Sequence, residues 1–555
     1  MVPSIRNEDG GGGGGEAKDE VVLAGFGYKQ ELKRDFRAVD LFGLSFSLIG
    51  LIPSMSSVLV YAIPNGGPVA MVWGWAVSSV FLVFIALAVA ELGSSMPTTG
   101  GVYYWTYRLC SPGSRNLASW LVGYMNSIAY ICGIAGVDWA CAVQIFAAVS
   151  IGSDLTFVPT TAQTYGVFMA ILVSNCVLVS LETKAIAMMH TLFTYVNIMH
   201  GFPLLALVFI IGIPAATPAE FKNDANSPLE ISKTVRGLAG VYRWPDGFAF
   251  ILSFLAPLWT IGGFDSTVHI SEEARNARTA VPWAMLCSVV TSCALGFVVN
   301  IVLTFHMGKD LAGILGSPVG QPMATILLNS FGKGGTLAIW SIIIVAQYMI
   351  GISLVTVCSR QNFAFSRDGA FPFSRYIYAV NARLGSPVYS VWVSGLLAAL
   401  VCLLAFAGPT AVGALFSLPV VAQYVAISIP VVARFVGGQT FVPGPFYLGR
   451  LSAPVAAVAV GWMGFATVVM LFPVTPQTDA QEMNYSVVVL GGVIVFALTY
   501  YYFPRYGGVH WFEGPVVTLE RGDDVVHEGR WAETDSKDDK ESGEEKVGSK
   551  SEATA

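Results

Sequence analysis

Apolar residues occur along most of this chain in stretches long enough to cross a lipid bilayer. A spanning helix needs about 20 mostly apolar residues, and this template predicts twelve segments separated by polar joints with turn residues such as Pro64 and Gly66. The predicted spans, numbered one to twelve in chain order, are 40–63, 67–92, 116–149, 164–181, 187–213, 247–270, 283–306, 336–358, 388–407, 410–434, 452–472 and 485–503. The pattern therefore predicts an all-α integral membrane protein with twelve transmembrane helices.

The composition agrees with this interpretation. The 555 residues are 54% hydrophobic and only 12% charged, whereas soluble proteins are about 25% charged. The charges concentrate in the two ends of the chain, so we expect residues 1–39 and 506–555 to be largely disordered tails on either side of a membrane domain at 40–505. This distribution excludes a soluble enzyme, a nucleic-acid-binding protein and a secreted disulfide scaffold.

The positive charges predict the orientation of the chain. Lys and Arg prefer cytoplasmic loops. With the amino terminus in the cytoplasm, fifteen of them fall on that side before the carboxyl-terminal tail and six on the other side. We therefore expect both termini to be cytoplasmic. We also expect the protein to be in the plasma membrane rather than the vacuolar membrane. The chain contains no HExxH, GxSxG or GxxxxGK(S/T) motif, so we predict no enzyme activity, no cofactor and no metal.

Two predicted spans are interrupted near the middle of the membrane. In span one, Pro53 cannot donate an amide and suits the start of a new half-helix after Gly50. In span six, Gly262 and Gly263 precede Asp265, whose side chain can cap a half-helix that begins just after it. Irregular backbone at this depth must be buried in protein or line a cavity. Because these spans are five apart, the breaks indicate a five-plus-five inverted repeat with a central binding site; two ordinary kinks are the alternative.

The chemistry of a broken helix predicts the kind of ligand. Bare amides at the amino end of a half-helix attract an anion. Bare carbonyls at the end of the preceding half-helix attract a cation. A small zwitterion satisfies both, and an amino acid is the simplest example.

Three stretches of the chain resemble the amino acid–polyamine–organocation superfamily. They are Glu91–Tyr103 after span two, Asp265–Arg275 with Ala280–Pro282 at the end of span six, and Ser359–Ala370 after span eight. The resemblance covers about 35–505 and is greatest to the fungal branch of GABA, amino acid and choline permeases. It implies a LeuT-like fold and alternating access, and it leaves the substrate open. Together with the two breaks it predicts a proton-coupled secondary transporter of amino acids or related amines such as GABA. A choline or polyamine permease of the same fold, or a non-transporting nutrient sensor, are the alternatives.

The residues that the resemblance implies for substrate binding frame the two breaks. They are Ser47, Gly50, Pro53, Ser54, Trp259, Ile261, Gly262, Gly263 and Asp265. The first four would surround amides that bind a carboxylate, and the next four would supply carbonyls for an amine and an aromatic gate. Asp265 either caps a half-helix only or also faces the substrate amine.

Two ionisable residues inside the spans are candidates for proton coupling. Asp138 lies deep in span three, where an ionisable side chain indicates function. His200 lies in span five and could relay protons, because histidine titrates near neutral pH. Each could instead be a hydrogen-bonded packing residue. A sodium site that includes the hydroxyls of Ser353 and Thr356 is the alternative to proton coupling.

Charged residues also gather at the predicted cytoplasmic ends of the spans. These candidates for an inner gate are Glu91, Arg108, Glu272, Glu273, Arg275 and Arg367. They form either a salt-bridged gate or ordinary solvated loop charges. The expected partners are thus a small amine-bearing solute, a proton and the lipid bilayer, with no nucleic acid.

Overall fold

The computed structural model is helical throughout the part of the chain that it describes, apart from one isolated β-bridge. It describes residues 23–26, 34, 36–181, 202–218, 221, 244–308, 310–381, 384, 386–473, 475–476 and 483–516. The main compact unit runs from Leu32 to Pro515. The α-helices of four or more residues are Ala38–Ile49, Leu51–Ala62, Trp75–Ser95, Val102–Leu109, Arg115–Gly152, Thr161–Val179, Phe202–Leu207, Ile213–Ala216, Asp246–Leu252, Leu255–Thr260, Ser266–His269, Ala277–His306, Leu311–Leu315, Pro322–Arg367, Ser374–Ile377, Val388–Cys402, Pro409–Val436, Ser452–Met470 and Tyr485–Tyr501.

Each predicted span contains a helix in the described residues. Nine helices there are long and apolar enough to cross a membrane. Three shorter apolar helices, Leu205–Ala216, Asp246–Thr260 and Tyr485–Tyr501, coincide with predicted spans five, six and twelve. The prediction of an all-α, multi-span membrane protein is therefore confirmed.

Span three forms the centre of the bundle. Its 38-residue helix, Arg115–Gly152, packs mainly against spans eight and ten. Small residues let its neighbours approach closely. At Gly136, for example, a Cβ atom would lie only 2.8 Å from the carbonyl oxygen of Leu415 in span ten and 2.8 Å from the ring of Trp259. This packing brings the middle of span three against the break in span six.

The helix of span eight is longer than predicted. Helical residues run over Pro322–Arg367 with a kink at Gly332 (φ 65°, ψ −177°), so the span-eight helix follows this kink and ends at Arg367, whereas hydropathy predicts only 336–358. The stretch from Ser359 to Arg367 is therefore helical rather than a loop. Its polar side chains are buried with partners; for example, Asn362 Nδ2 donates to Ser394 Oγ at 2.8 Å. Hydropathy places such residues outside the span, because it scores each residue alone and takes no account of a hydrogen-bond partner on another helix.

The ends of the membrane domain are fastened to its interior. Phe36 N donates to the carbonyl of Glu273 at 3.1 Å, and Arg275 N donates to the carbonyl of Phe36 at 2.9 Å. These bonds connect the beginning of span one to the segment after span six. Beyond span twelve, Phe512 packs on Trp120, with ring centroids 5.0 Å apart. The packed part of the chain thus continues past residue 505.

Candidate substrate-binding site

The break in span one lies at Gly50. This residue has φ 47° and ψ 59°, in the left-handed region that glycine adopts at little cost. The first half-helix ends at Ile49 and the second begins at Leu51. The prediction that the second half-helix begins at Pro53 is therefore wrong by two residues. Pro53 instead falls in the first turn, where a missing amide costs no hydrogen bond.

The position of the break decides which amides face a ligand. The amide of Gly50 donates to Phe46, and the amide of Ser54 donates to the carbonyl of Gly50. Pro53 has no amide proton, so none of these three residues has a free amide donor. The amides of Leu51 and Ile52 remain, and neither has a backbone partner among the described residues. They form the positive end of the half-helix.

The break in span six lies directly against the break in span one. The helix Leu255–Thr260 ends before Ile261, and a new helix begins at Ser266. Gly263 has φ 73°, and a Cβ atom on it would overlap the side chain of Leu48 in span one. The carboxyl end of one half-helix and the amino end of another therefore meet at the centre of the bundle.

A pocket with about 530 Å³ of empty space lies between these breaks. Spans one, three, six, eight and ten all line it. Four of the predicted substrate residues line the pocket: Ser54, Trp259, Gly262 and Gly263. The other predicted residues, Ser47, Gly50, Pro53, Ile261 and Asp265, lie beside it in the chain without lining it.

Two polar residues of the pocket that come from unbroken spans are absent from the sequence-based set. Tyr130 of span three and Gln423 of span ten both line it. Each is a polar residue in a largely apolar span, and this is the one signal that could have indicated them. Neither adjoins a break, so a search limited to the broken helices misses them.

Asp265 does not cap a half-helix as predicted. It stands at the position before Ser266, but its side chain makes no capping hydrogen bond. Instead Asp265 Oδ1 accepts from Gln423 Nε2 at 2.5 Å. The carboxylate is buried and turns toward span ten because the amide of Gln423 satisfies it there. Asp265 therefore reaches the pocket through Gln423.

This contact predicts the effect of Asp265→Asn. The asparagine oxygen still accepts from Gln423, so the fold is kept while the negative charge is lost. We expect the KM of amine-bearing substrates to rise at least tenfold, with the maximal rate less affected. Initial rates of uptake into proteoliposomes measure both quantities. An unchanged KM would show that the carboxylate only holds Gln423 in place.

An aromatic column separates the pocket from a second cavity. The rings of Trp259 and Phe416 are 4.9 Å apart in an edge contact, and those of Phe416 and Tyr61 are 5.5 Å apart. Tyr61 lines the second cavity, which has about 570 Å³ of empty space near the carboxyl end of span one. Trp259 thus stands where an aromatic gate is expected, with Phe416 as a further member.

Asp138 lies beside the pocket rather than in it. Its neighbour Val137 lines the pocket, whereas Asp138 Oδ1 accepts from Asn175 Nδ2 of span four at 3.0 Å. Its second carboxylate oxygen is buried without a hydrogen-bond partner among the described atoms. The other coupling candidate, His200, lies outside the described residues.

Buried ion pairs close the end of the bundle that is predicted to be cytoplasmic, called the inner end here. Glu272 lies 3.8 Å from Arg367, and Glu273 lies 3.6 Å from Arg360. All four side chains are at most 5% exposed, so they are not ordinary solvated charges. Arg360 was not among the predicted residues, because spacing along the chain does not reveal its partner.

The remaining candidates for the inner gate lie elsewhere. Glu91 is buried and pairs with Arg434 of span ten at 2.6 Å, and it also accepts from Ser452 Oγ. Arg108 is exposed, and Arg275 is exposed with its Nε donating to the carbonyl of Arg34 at 3.1 Å. Glu91 therefore fastens span two to span ten rather than joining the ion pairs of Glu272 and Glu273.

An all-helical membrane bundle with two broken spans around a central pocket defines a solute transporter of the permease class. The chain belongs to the amino acid permease family, whose sequence model matches residues 36–494. An uncharacterised amino-acid permease of Schizosaccharomyces pombe is 35% identical over 509 residues, which cover 92% of this chain and 90% of the relative. The GABA-specific permease of Saccharomyces cerevisiae is 35% identical over 514 residues, covering 91% and 87%.

A more distant relative extends the comparison. Amino-acid permease 2 of Neurospora crassa is 29% identical over 506 residues, which cover 91% of this chain and 90% of the relative. These proteins are transporters rather than enzymes. The resemblance to the amino acid–polyamine–organocation superfamily is thereby confirmed.

Proposed function

We propose that the protein is a proton-coupled permease that carries amino acids or related amines such as GABA. One observation supports this most strongly: the amino end of the half-helix Leu51–Ala62 and the carboxyl end of the helix Leu255–Thr260 border one pocket, which Ile49, Ser54, Trp259 and Thr260 line. The first attracts a carboxylate and the second attracts an ammonium group. A zwitterion with these groups at its ends neutralises both poles.

The two poles favour an amino acid over the other solutes of this fold. Choline and polyamines have no carboxylate, so they would leave the amides of Leu51 and Ile52 desolvated without a partner. A buried polar group without a hydrogen bond costs about 1 to 3 kcal/mol. The relative named as a GABA-specific permease supports the same choice.

Transport assays on the purified protein test this proposal. The protein is reconstituted into liposomes loaded with unlabelled GABA, choline, putrescine or a mixture of amino acids, and counterflow of the labelled solute is measured. We expect counterflow with GABA or another amino acid and none with choline or putrescine. Counterflow with choline alone would contradict the amide pole, and no counterflow with any solute would favour a nutrient sensor.

The proposal includes protons as the coupling ion. Asp138 is a fully buried carboxylate with one oxygen that has no partner among the described atoms, and an ionisable side chain inside a span marks a proton path. Sodium is the alternative, and the hydroxyls of Ser353 and Thr356 each donate to their own helix at 3.1 and 2.9 Å. We expect uptake to increase in acidic external medium, to stop with a protonophore and to need no sodium.

Replacing Asp138 by Asn tests its part in coupling. Asn keeps the contact with Asn175 but cannot exchange a proton, so we expect exchange of substrate to continue while accumulation under a pH gradient is lost. Asp154→Asn is the matched control, because that carboxylate is exposed and pairs with Lys333 on the surface. If Asp138→Asn still concentrates substrate like Asp154→Asn, Asp138 is not the coupling residue.

The orientation and location are part of the same proposal. We propose that both termini face the cytoplasm and that the protein works in the plasma membrane. The excess of Lys and Arg on the predicted cytoplasmic side supports the orientation. Fluorescent tags at either terminus, quenched by a membrane-impermeant reagent only after permeabilisation, test it.

A further inference from the structure

His269 is a buried histidine next to the break in span six. It ends the short helix Ser266–His269 and is 1% exposed. Its Nδ1 lies 2.9 Å from the carbonyl of Thr99, and because a carbonyl only accepts, Nδ1 carries a proton. Its Nε2 lies 3.3 Å from Asn126 Nδ2. Since that amide nitrogen donates, Nε2 is the acceptor and the ring is neutral in this arrangement.

On one side His269 connects to the pocket. Its Nε2 lies 4.0 Å from Asp265 Oδ2, while Asp265 Oδ1 accepts from the pocket residue Gln423. Tyr130, which also lines the pocket, packs edge-on against the imidazole with centroids 5.3 Å apart. A change in the protonation of the ring can therefore reach the pocket through Tyr130 or through Asp265 and Gln423.

On the other side His269 connects to the inner end. Thr99 accepts from the ring through its carbonyl and donates through its amide to Glu272 Oε1 at 2.9 Å. Glu272 in turn pairs with Arg367. Gly101 packs tightly against the ring, since a Cβ atom on it would lie 2.9 Å from His269 Cε1. The loop after span two thus lies between His269 and the ion pairs.

We propose that His269 and Asp265 form a proton-binding pair that couples the substrate pocket to the ion pairs at the inner end. This inference rests on the proposed function and adds a second proton site to the one proposed at Asp138. A proton on Nε2 turns that atom from acceptor into donor, so the amine of Asn126 no longer fits. The acceptors within reach are Asp265 Oδ2 and Asn126 Oδ1, which is buried without a partner among the described atoms.

The movement of Asp265 provides the coupling. When the carboxylate turns toward protonated His269, its bond to Gln423 weakens, and the polar wall of the pocket changes. The bound proton comes from the outer solution through the pocket and leaves to the cytoplasm when the inner end opens. No other bond is formed or broken in this step.

Few other ionisable groups face this pair. From span three Tyr130 faces it, with the thiol of Cys358 in span eight near that tyrosine, and Glu272 reaches it through Thr99. Arg360 and Arg367 of span eight pair with glutamates. The buried residues of Ala38–Ile49 and of span seven include no acidic or basic side chain. The titration of the pair therefore depends mainly on its own two members.

His269→Gln in proteoliposomes tests the proposal. Glutamine keeps a donor for the carbonyl of Thr99 but cannot take a proton. We expect exchange of labelled GABA, or of the amino acid that the unmodified protein exchanges, to persist, while accumulation under an inward pH gradient falls to a ratio of one. His306→Gln is the matched control, because His306 Nδ1 also donates to a backbone carbonyl, that of Val302 at 2.8 Å, at the other end of the bundle. Accumulation by His269→Gln equal to that of His306→Gln overturns the proposal.

A second measurement does not depend on transport. NMR of ε-¹³C-labelled histidine in the detergent-purified protein identifies the signal of His269 by its loss in His269→Gln. In Asp265→Asn the midpoint of that signal should move to lower pH, because the carboxylate that favours the charged ring is gone. A midpoint that does not move, or no titration between about pH 4 and 9, overturns the pair. Absence of counterflow with every solute would instead overturn the proposed function, and the NMR result would still decide the pair.

If His269→Gln does not fold, Asp265→Asn replaces it in the accumulation assay at saturating substrate. The asparagine keeps the bond to Gln423 and removes the charge that receives protonated His269. We expect accumulation to be lost, while exchange at saturating substrate continues with the higher KM expected of this variant. Full accumulation by Asp265→Asn contradicts the pair.

Discussion

Gly50→Val is expected to abolish substrate binding while the protein still folds and reaches its membrane. The left-handed backbone at this position costs an L residue about 1 to 2 kcal/mol, and a β-branched side chain is the least suited to it. A Cβ atom at Gly50 would also overlap the side chain of Ile350 in span eight. Either span one straightens, which returns Leu51 and Ile52 to a continuous helix, or Ile350 is pushed into the pocket that it lines.

The measurement is binding of labelled substrate to the detergent-purified variant, where we expect at least a hundredfold loss. Gly461→Val is the matched control, because Gly461 lies in the span-eleven helix with open space around its Cβ position. Gel filtration of both variants shows whether each is folded. Normal binding by Gly50→Val would mean that the substrate site is not at this break.

Arg360→Ala is expected to destabilise the protein strongly. Arg360 Nε lies 3.6 Å from Glu273 Oε1, and both side chains are almost fully buried. Removing the guanidinium leaves a carboxylate in the interior without its cation. Breaking a buried pair in this way costs about 3 to 5 kcal/mol.

A thermal unfolding series in detergent measures this effect. The exposed pair between Lys333 and Asp154 is shorter, at 2.7 Å, but its side chains are 44% and 79% exposed. We therefore expect Lys333→Ala to cost less than about 1 kcal/mol. The exchanged pair Arg360→Glu with Glu273→Arg should recover part of the lost stability. Equal melting temperatures for Arg360→Ala and Lys333→Ala would contradict a structural role for the buried pair.

Gly50 and Arg360 belong to two neighbouring parts of the bundle, the central pocket and the ion pairs at the inner end. The ion pairs that include Arg360 and Arg367 connect the end of span eight to the segment after span six. The pocket at Gly50 lies between them and the aromatic column of Trp259 and Phe416. A solute in the pocket would be separated from one side of the membrane by ion pairs and from the other by aromatic rings, as alternating access requires.

Local patterns in the sequence indicate the breaks but not their exact geometry. The glycine and proline residues of span one predict an interruption, and the structure has one. They do not say whether Gly50 or Pro53 is the turning point, because both disfavour a straight helix. The neighbouring side chain of Ile350, far away in sequence, packs where only a glycine fits.

The polar contacts of the pocket are the part that the sequence leaves open. Asp265 next to Ser266 reads as a helix cap, since local geometry permits it. In the folded protein Gln423, 158 residues further on, supplies a closer donor. The same holds for His269, whose partners Thr99 and Asn126 come from two other parts of the chain.

The sequence by itself determined the all-α membrane architecture, the positions of the spans and the two broken helices. These depend on the hydropathy of about 20 consecutive residues and on the conformational limits of glycine and proline, which are local properties. Only the tertiary structure decided that Tyr130 and Gln423 line the pocket, that Asp265 bonds to Gln423, and that Glu273 pairs with Arg360. Those are contacts between residues distant in the chain, and a buried polar group takes whichever partner the packing of the helices brings within reach.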